Sequence, residues 1–433
     1  MDKLVVEGGH RLEGSVRVCG AKNAVLPVLA ASLLTDQPLL IPNAPRLSDV
    51  RTMLAVLGEL GCATERTEEG AVSVQAPSDL TSHAGWEYVR RMRGSVCILG
   101  PLLARTGQAQ VSLPGGCVFG VRPIDAHLRG FEALGAKVRI EHGYVVAEAP
   151  KGGLRGAELF LGTAFGSTVL GTANVMMAAT LAKGRTVIHG AACEPEVEDL
   201  GRCLIAMGAK IEGLGSPRVV VEGVESLNGA TWNVIPDRIE AGTYLIAGAM
   251  TGGRVRVEGC RSEHLSVLTE RLRDAHVPLE VGADWLETQE YDPREPAQRP
   301  RATDVTTHAY PGFPTDLQAQ WMALMTMADG ISVITERIYP DRYMHLPELA
   351  RLGAEIRRQE STAIVRGTNR LSGAPVTASD LRASAALVLA GLVADGETNI
   401  HRVYHIDRGY ERIEERLRPM GAVIRREKDE EGV

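Results

Sequence analysis

Leu134-Gly135-Ala136, running into Lys137–Ile140, is one copy of a word that recurs along the chain as Leu60-Gly61-Cys62, Met207-Gly208-Ala209, Leu352-Gly353-Ala354 and Met420-Gly421-Ala422. A weaker copy, Ala275-His276-Val277, fills the gap between the third and fourth of these in chain order. From Gly61 through His276 to Gly421 the spacings are 74, 73, 68, 77 and 68 residues. One such word is an ordinary helix-to-strand junction. Six near-even copies with matching flanks are an internal repeat, and the repeat decides the fold.

The flanks read alike in every copy. Before the word comes a helix with one apolar stripe, as in Asp49–Leu60 or Tyr410–Leu417, and the glycine of the word suits its left-handed C-terminal cap. Before that lies a β-branched strand, such as Thr186-Val187-Ile188 or Ile331–Thr335, entered through a turn that often holds glycine (Gly107, Gly184, Gly253, Gly330, Gly396). Each unit opens with a helix apolar all round: Ala24–Leu34, Val96–Ala104, Val169–Ala182, Tyr244–Met250, Trp321–Met327 and Ala385–Val393. A helix apolar on every side belongs inside, and one with a single stripe belongs outside. The expected class is therefore α/β, with six βαβ-type repeats, three per domain. A boundary in Trp232–Pro236 gives a first domain of residues 21–235 and a second of 1–20 plus 236–433, into which the strand-like pieces Lys3–Glu7 and Ser15–Cys19 would pair.

With 433 residues, 44% of them hydrophobic, the chain is too long for one ordinary core. A net charge of −7 argues against a general nucleic-acid or anionic-membrane binder. Seven cysteines without a CxxC pair suit reduced thiols in a cytoplasm rather than a disulfide framework or a zinc site. The start, MDKLVVEGG, does not read as a secretion signal, and no apolar run reaches the ~18 residues of a membrane span. No His/Asp/Glu cluster has metal-ligand spacing, so neither metal nor cofactor is expected. Nothing in the sequence sets an oligomeric state.

Polar residues recur where the apolar helices begin: Lys22 and Asn23; Arg91 and Arg93; Gly166, Ser167 and Thr168; Asp237 and Arg238; Asp316; Asp380 and Arg382. A helix start offers unpaired N–H groups and partial positive charge, which suits an anion. Asp237, Ser167 and Asp316 are equally explained as helix caps. Lys22, Arg93 and Arg382 are not, because a cation opposes the dipole there. If three units surround a pseudo-threefold axis, their inner helices start together, and two domains facing each other would bring six starts to one cleft.

Unit two breaks the pattern. From turn to word it spans 28 residues, Gly107 to Gly135, against 23 to 25 elsewhere. The surplus falls in Leu113-Pro114-Gly115-Gly116-Cys117-Val118-Phe119-Gly120-Val121-Arg122-Pro123. Glycines beside a cysteine and an arginine suit a lid that closes over substrate. The other six cysteines sit in apolar or junction contexts.

Several segments carry a resemblance: Gly20-Ala21-Lys22-Asn23-Ala24, Pro114-Gly115-Gly116-Cys117, Arg122-Pro123-Ile124-Asp125-Ala126-His127, Phe313-Pro314-Thr315-Asp316, Asp380-Leu381-Arg382-Ala383-Ser384 and His405-Ile406-Asp407-Arg408-Gly409-Tyr410. Over nearly its whole length the chain resembles the enolpyruvyl transferases that act on UDP-N-acetylglucosamine at the first committed step of peptidoglycan synthesis. The resemblance implies a two-domain inside-out α/β barrel. It implies two small-molecule substrates, phosphoenolpyruvate and UDP-N-acetylglucosamine, and no cofactor. It implies that Cys117 donates a proton to phosphoenolpyruvate and is the thiol that fosfomycin alkylates. Lys22, Arg122 and Arg408 are similar to phosphate ligands, with Asn23 beside them, and Arg342 and Arg382 to carboxylate ligands. Asp316 resembles the residue that holds and deprotonates the sugar 3-hydroxyl. Asn23, Arg93, Arg122, Pro123, Ile124, Asp125, Ala126, Phe165, Gly166 and Ile338 are similar to contacts of the nucleotide sugar.

Gly162 and Ala164 stand where many members carry Lys and Ser, which weakens the expected diphosphate contact, and Ala126 replaces a common Leu. Two other functions fit parts of the pattern: enolpyruvyl transfer to shikimate 3-phosphate, and a non-catalytic paralogue that senses nucleotide sugar. The cysteine-bearing loop favours the nucleotide-sugar enzyme over the first. Retention of Lys22, Cys117, Asp316, Arg342, Arg382 and Arg408 weighs against the second, since a sensor needs neither acid nor base.

Overall fold

Six glycine-type junctions end six outer helices in the same way. In the computed structural model, which describes residues 2–113, 115 and 124–429, Gly61, Gly135, Gly208, Gly353 and Gly421 have φ between 92° and 107°. His276, in the weak copy, takes φ 59° without being glycine. Behind each lies the same bond, from the N–H after the left-handed residue back to a carbonyl five residues earlier: Cys62 to Leu57, Ala136 to Phe131, Ala209 to Leu204, Val277 to Leu272, Ala354 to Leu349 and Ala422 to Leu417. This is the Schellman closure, which satisfies carbonyls that the helix end leaves open.

Each word belongs to a four-stranded sheet, and there are six such sheets among the described residues. Residues 83–84, 108–112, 144–148 and 137–141 form one of them in that spatial order. The first two strands are parallel and the rest antiparallel. The parallel step needs a crossover, and the apolar helix supplies it. The unit is therefore β-α-β-α-β-β, with one more strand at each end than the sequence suggested.

Those extra strands come from far along the chain in three sheets. Ala230–Thr231 pairs with Leu39–Ile41 and so completes the first repeat. Gly14–Arg17 pairs parallel to Val255–Glu258. Asp2–Glu7 lies antiparallel between Glu397–His401 and Val423–Lys428.

The chain divides into two compact units, one of residues 2–19 and 236–429 and one holding the described part of 20–235. Each has three sheets and its own hydrophobic core. In the 236–429 unit the inner helices Arg238–Thr251, Gln318–Met325 and Leu381–Val393 are buried at every residue and pack on one another. In the 20–235 unit the inner helices are Lys22–Ala31, Leu99–Thr106 (entered through the 3-10 turn Arg93–Ile98) and Val169–Thr180. The outer helices bury one face only, as in Ser48–Glu59 and Pro195–Ala206.

One expected element is shorter. Instead of a helix over Tyr410–Leu417, a 3-10 segment, Val403–Arg408, is followed by a helix over Ile413–Leu417. Arg412 at φ 49° separates them, since a left-handed residue cannot continue an α-helix. No described helix is long and apolar enough to cross a membrane.

Candidate active site

The polar residues at the helix starts divide into caps and charge clusters. Asp237 caps Arg238–Thr251 through Oδ1, which accepts from the N–H groups of Ile239 (2.8 Å) and Glu240 (3.0 Å). Asp380 does the same for Leu381–Val393, accepting from Arg382 (2.8 Å) and Ala383 (3.1 Å). Thr168, rather than Ser167, caps Val169–Thr180. Arg91 is exposed in the turn after the short helix Trp86–Val89 and pairs with Glu87 of that helix.

Asp316 is not a cap. It lies in the 3-10 turn Thr315–Leu317, and its carboxylate bridges two guanidiniums. Oδ1 is 2.7 Å from Arg342 Nη1 and Oδ2 is 2.9 Å from Arg382 Nη2. The arginine side chains are 8% and 2% exposed and that of Asp316 is 23% exposed, so this cluster of one anion and two cations is largely removed from water. Burial pushes the Asp316 carboxyl up, but Arg382 and Arg342 outweigh it and hold it well below the usual carboxylate range. Both arginines are in turn held charged by Asp316 against the opposing effect of burial.

Behind this cluster the three inner helices of the unit meet at one hydroxyl. Tyr410 Oη lies 2.8 Å from Thr243 Oγ1 and accepts from Arg382 Nη1 (3.2 Å) and Gln320 Nε2 (3.3 Å). Thr243, Gln320 and Arg382 each belong to a different inner helix. The arrangement fixes Arg382 in rotamer and direction. Arg408 ends the neighbouring 3-10 segment and helps to lower the imidazole of His405, after burial and Arg402, to about 4.

In the 20–235 unit Lys22 opens the first inner helix, and its ammonium is 2.9 Å from Asp49 Oδ2 on the adjacent outer helix. The lysine that seemed to oppose its helix dipole thus has a buried carboxylate beside it. Just before this helix Gly20 packs closely against other segments, where a Cβ would sit 2.6 Å from the Asn43 carbonyl oxygen and 2.7 Å from Val234 Cγ2. Asn23 follows in the first turn of the same helix.

Arg93 opens the 3-10 turn before the second inner helix. It bears on His127, whose imidazole is pushed down to about 3, first by burial and then by this guanidinium. Asn174, on the third inner helix, donates to His127 Nδ1 (2.9 Å) and to the Val96 carbonyl (2.7 Å) and accepts from Gly100 N–H (2.9 Å). This leaves His127 neutral with its proton on Nε2. Ile124 and Ala126 are buried, and Asp125 is exposed in the first turn of Asp125–Ala133. Cys117, Arg122 and Pro123 lie outside the described residues.

Phe165 and Gly166 stand on a separate tight turn, where Thr163 and Gly166 exchange backbone bonds of 2.7 and 3.1 Å. Phe165 is exposed. The neighbouring Gly162 lies under Phe160: its Cβ would fall 2.3 Å from Phe160 Cζ, the far end of a ring that is itself exposed. Ile338 is half-buried, and its N–H donates to Glu336 Oε1.

Sequence reasoning missed Asp49, Asn174, Glu336 and the hydroxyl of Tyr410. A charged residue at a buried position of a striped helix, as at Asp49, is a usable signal, because a buried charge needs a partner. The other three depend on contacts between distant segments. Six cysteines are described, all free. Burial pushes Cys97 and Cys203 to about 12 and Cys62 and Cys260 to about 11, so these are poor nucleophiles. Among the described residues no group of three or more His, Cys, Asp or Glu is arranged to hold a metal.

A sequence profile described as EPSP synthase (3-phosphoshikimate 1-carboxyvinyltransferase) matches residues 6–417. The chain belongs to the EPSP synthase family. Among relatives of this carboxyvinyltransferase family, it is 54% identical over 430 residues to a protein of Anaeromyxobacter sp. (strain Fw109-5) named UDP-N-acetylglucosamine 1-carboxyvinyltransferase, with 99% of this chain and 100% of that one covered. Its fold is similar to that of the enolpyruvyl transferase NikO from Streptomyces tendae, with TM-score 0.87, 25% identity and 98% of each chain covered. It also matches EPSP synthase from Acinetobacter baumannii at TM-score 0.72, with 17% identity and 99% and 100% covered, a likeness of fold. The two-domain enolpyruvyl transferase fold that the resemblance implied, in agreement with the repeat, is thus the fold of this family member.

Proposed function

We propose that the protein transfers the enolpyruvyl group of phosphoenolpyruvate to the 3-hydroxyl of UDP-N-acetylglucosamine, releasing inorganic phosphate. The observation that carries this is the 54% identity, over 99% of the chain, to a relative named for that activity. The Asp316–Arg342–Arg382 cluster supports it. Two guanidiniums that already grip one carboxylate are suited to grip another, such as that of phosphoenolpyruvate.

The residues have these roles in the proposal. Lys22, Arg122 and Arg408 bind the phosphate, with Asn23 beside them, and Arg342 and Arg382 bind the carboxylate. Asn23, Arg93, the 122–126 stretch, Phe165, Gly166, Asp316 and Ile338 serve the nucleotide sugar. In the addition step the sugar O3 bonds to C2, its proton passes to Asp316, and the Cys117 thiol gives a proton to C3. In the elimination step the Cys117 thiolate takes a proton back from C3, the C2–O bond to phosphate breaks, the proton held by Asp316 leaves with the phosphate, and the enolpyruvyl ether remains. Lys22 and Arg408 stabilise the departing phosphate.

Asp316 as seen here is a weak base, because two arginines hold it ionised. When a substrate carboxylate takes over those arginines, the Asp316 carboxylate loses their field and becomes more basic. Base strength thereby depends on the presence of phosphoenolpyruvate. The scattered cysteines, six of them free, suit a reducing cytoplasm.

Cys117 tests the chemistry. With phosphoenolpyruvate present, mass spectrometry should find the adduct on the peptide holding Cys117. Cys117→Ser should lose most turnover, and Cys117→Asp should keep activity while escaping fosfomycin. Full activity in the Ser variant would refute the proton-donor role. The family name keeps shikimate 3-phosphate as a second acceptor to be tried.

A further inference from the structure

Glu336 is wholly buried and follows directly on the strand Ile331–Thr335. Its Oε1 accepts from Thr307 Oγ1 (2.7 Å), Ile338 N–H (2.8 Å) and Tyr339 N–H (2.9 Å). Its Oε2 accepts from Thr315 Oγ1 (2.9 Å). A turn at the end of a strand would account for the two backbone bonds. It does not account for the second oxygen, which reaches a different segment of the chain.

That oxygen begins a relay. The Thr315 hydroxyl gives its only proton to Glu336, so its lone pairs face away, and one accepts from Arg342 Nη1 at 3.0 Å. The same Nη1 is 2.7 Å from Asp316 Oδ1. Thr307 closes the other side. Having given its own proton to Glu336, its oxygen accepts from Arg337 N–H at 2.9 Å. One buried carboxylate thus orders the strap Arg337–Tyr339, the turn Thr315–Asp316 and, through a hydroxyl, the direction of Arg342.

We infer that Glu336 is the positioning residue of this site, aligning Arg342 and Asp316 through the Thr315 hydroxyl while it holds the strap that carries Ile338. The inference rests on the reaction proposed above. It assigns Glu336 no contact with substrate. Its carboxylate form is essential because all four partners are donors, and a carboxylate can accept all four. An amide can accept three at Oε1, but its NH2 group would then face Thr315 as a second donor. The threonine proton would have to turn away, towards the place from which Arg342 donates.

Glu336→Gln keeps the size and the strap bonds and breaks the relay. Thr315→Val breaks the same relay from its other end. Each should lower kcat on the order of 10-fold, as expected for misaligned reacting groups. The two together should lose no more than the worse of them, because both break one connection. Thr315→Ser keeps the hydroxyl and should lose several-fold less than Thr315→Val. KM for UDP-N-acetylglucosamine should change less than kcat in Glu336→Gln, since Ile338 keeps its acceptor. A role in packing alone would lower the melting temperature but would give neither the non-additive pair nor the Ser–Val difference.

Wild-type kcat in Glu336→Gln, or losses that multiply in the double variant, overturns the inference and leaves the proposed reaction standing. If Glu336→Gln does not fold, Thr315→Val alone decides, and wild-type kcat there overturns it equally. No phosphate release by the wild-type protein overturns the reaction itself, and the inference with it.

Discussion

The two units share one plan, three β-α-β-α-β-β repeats around three inner helices, yet each uses the meeting point of its inner helices differently. In residues 20–235 the junction is an amide: Asn174 ties the third inner helix to the start of the second and to a neutral His127. In residues 236–429 it is a phenol: Tyr410 joins Thr243, Gln320 and Arg382, and Arg382 continues to Asp316. The first junction ends in backbone groups and an uncharged ring. The second ends in charges. The same scaffold thus holds one centre that is mainly structural and one whose hydrogen bonds aim ionised groups, and only side-chain identity separates them.

Substitutions at the two centres can break that contrast. The largest effect is expected at the charged end. Asp316→Ala removes the proposed base and leaves two buried guanidiniums facing each other, so kcat should fall by on the order of 100-fold or more. An effect confined to KM in steady-state phosphate release would refute the base role. Tyr410→Phe comes next. It withdraws the acceptor from Arg382 and Gln320, costs about 1–3 kcal/mol of stability, and should also lower turnover several-fold. Asn174→Leu should cost a similar about 1–3 kcal/mol in denaturant unfolding but reduce turnover per folded molecule less than Tyr410→Phe does. Equal losses of turnover would erase the distinction between the centres.

Acid stability separates the units more weakly. His127 is held down to about 3, and His345 and His405, in the other unit, to about 4. Burial is the leading cause in all three. An unfolded imidazole titrates near about 6.5. Below that pH the unfolded chain takes up protons that the folded one refuses, so stability falls as pH drops from about 6.5 towards 4. His127→Gln should flatten only part of that slope, because His345 and His405 remain, and urea midpoints at pH 7 and pH 5 measure it. The smallest effect is expected at Gly162→Lys. The displaced atom is the far end of an exposed Phe160 ring, which can swing aside. Stability should change by less than about 0.5 kcal/mol, and any gain in affinity for UDP-N-acetylglucosamine should grow when Phe160→Ala is added.

What was legible in the sequence was local. The left-handed cap at Gly61, Gly135, Gly208, Gly353 and Gly421 is written in single residues, and even the weak copy at His276 keeps the conformation. The inner helices showed because burial on every side leaves no polar face. Of the strands supplied from a distance, two showed as the strand-like pieces Lys3–Glu7 and Ser15–Cys19, which pair within the 236–429 unit, and one did not. Ala230–Thr231 has no alternation to betray it, and its place beside Leu39–Ile41 follows from closing three repeats on themselves. Tyr410–Leu417 looked like one helix by its stripe, but a left-handed Arg412 divides it. In the site, Asp316 and Arg382 could be named from the segments that hold them and Arg342 from the resemblance alone, whereas their mutual bonding could not. Glu336 gave no signal, because a glutamate after a strand reads as a solvated loop residue until Thr307, Thr315 and the 338–339 backbone are seen around it.

The most direct measurement mixes the purified protein with phosphoenolpyruvate and each acceptor in turn, and reads phosphate release together with acceptor mass. With UDP-N-acetylglucosamine, one phosphate should appear for each acceptor that gains an enolpyruvyl group, and shikimate 3-phosphate should remain unchanged. Transfer to shikimate 3-phosphate instead, or phosphate from neither mixture, would contradict the proposed reaction.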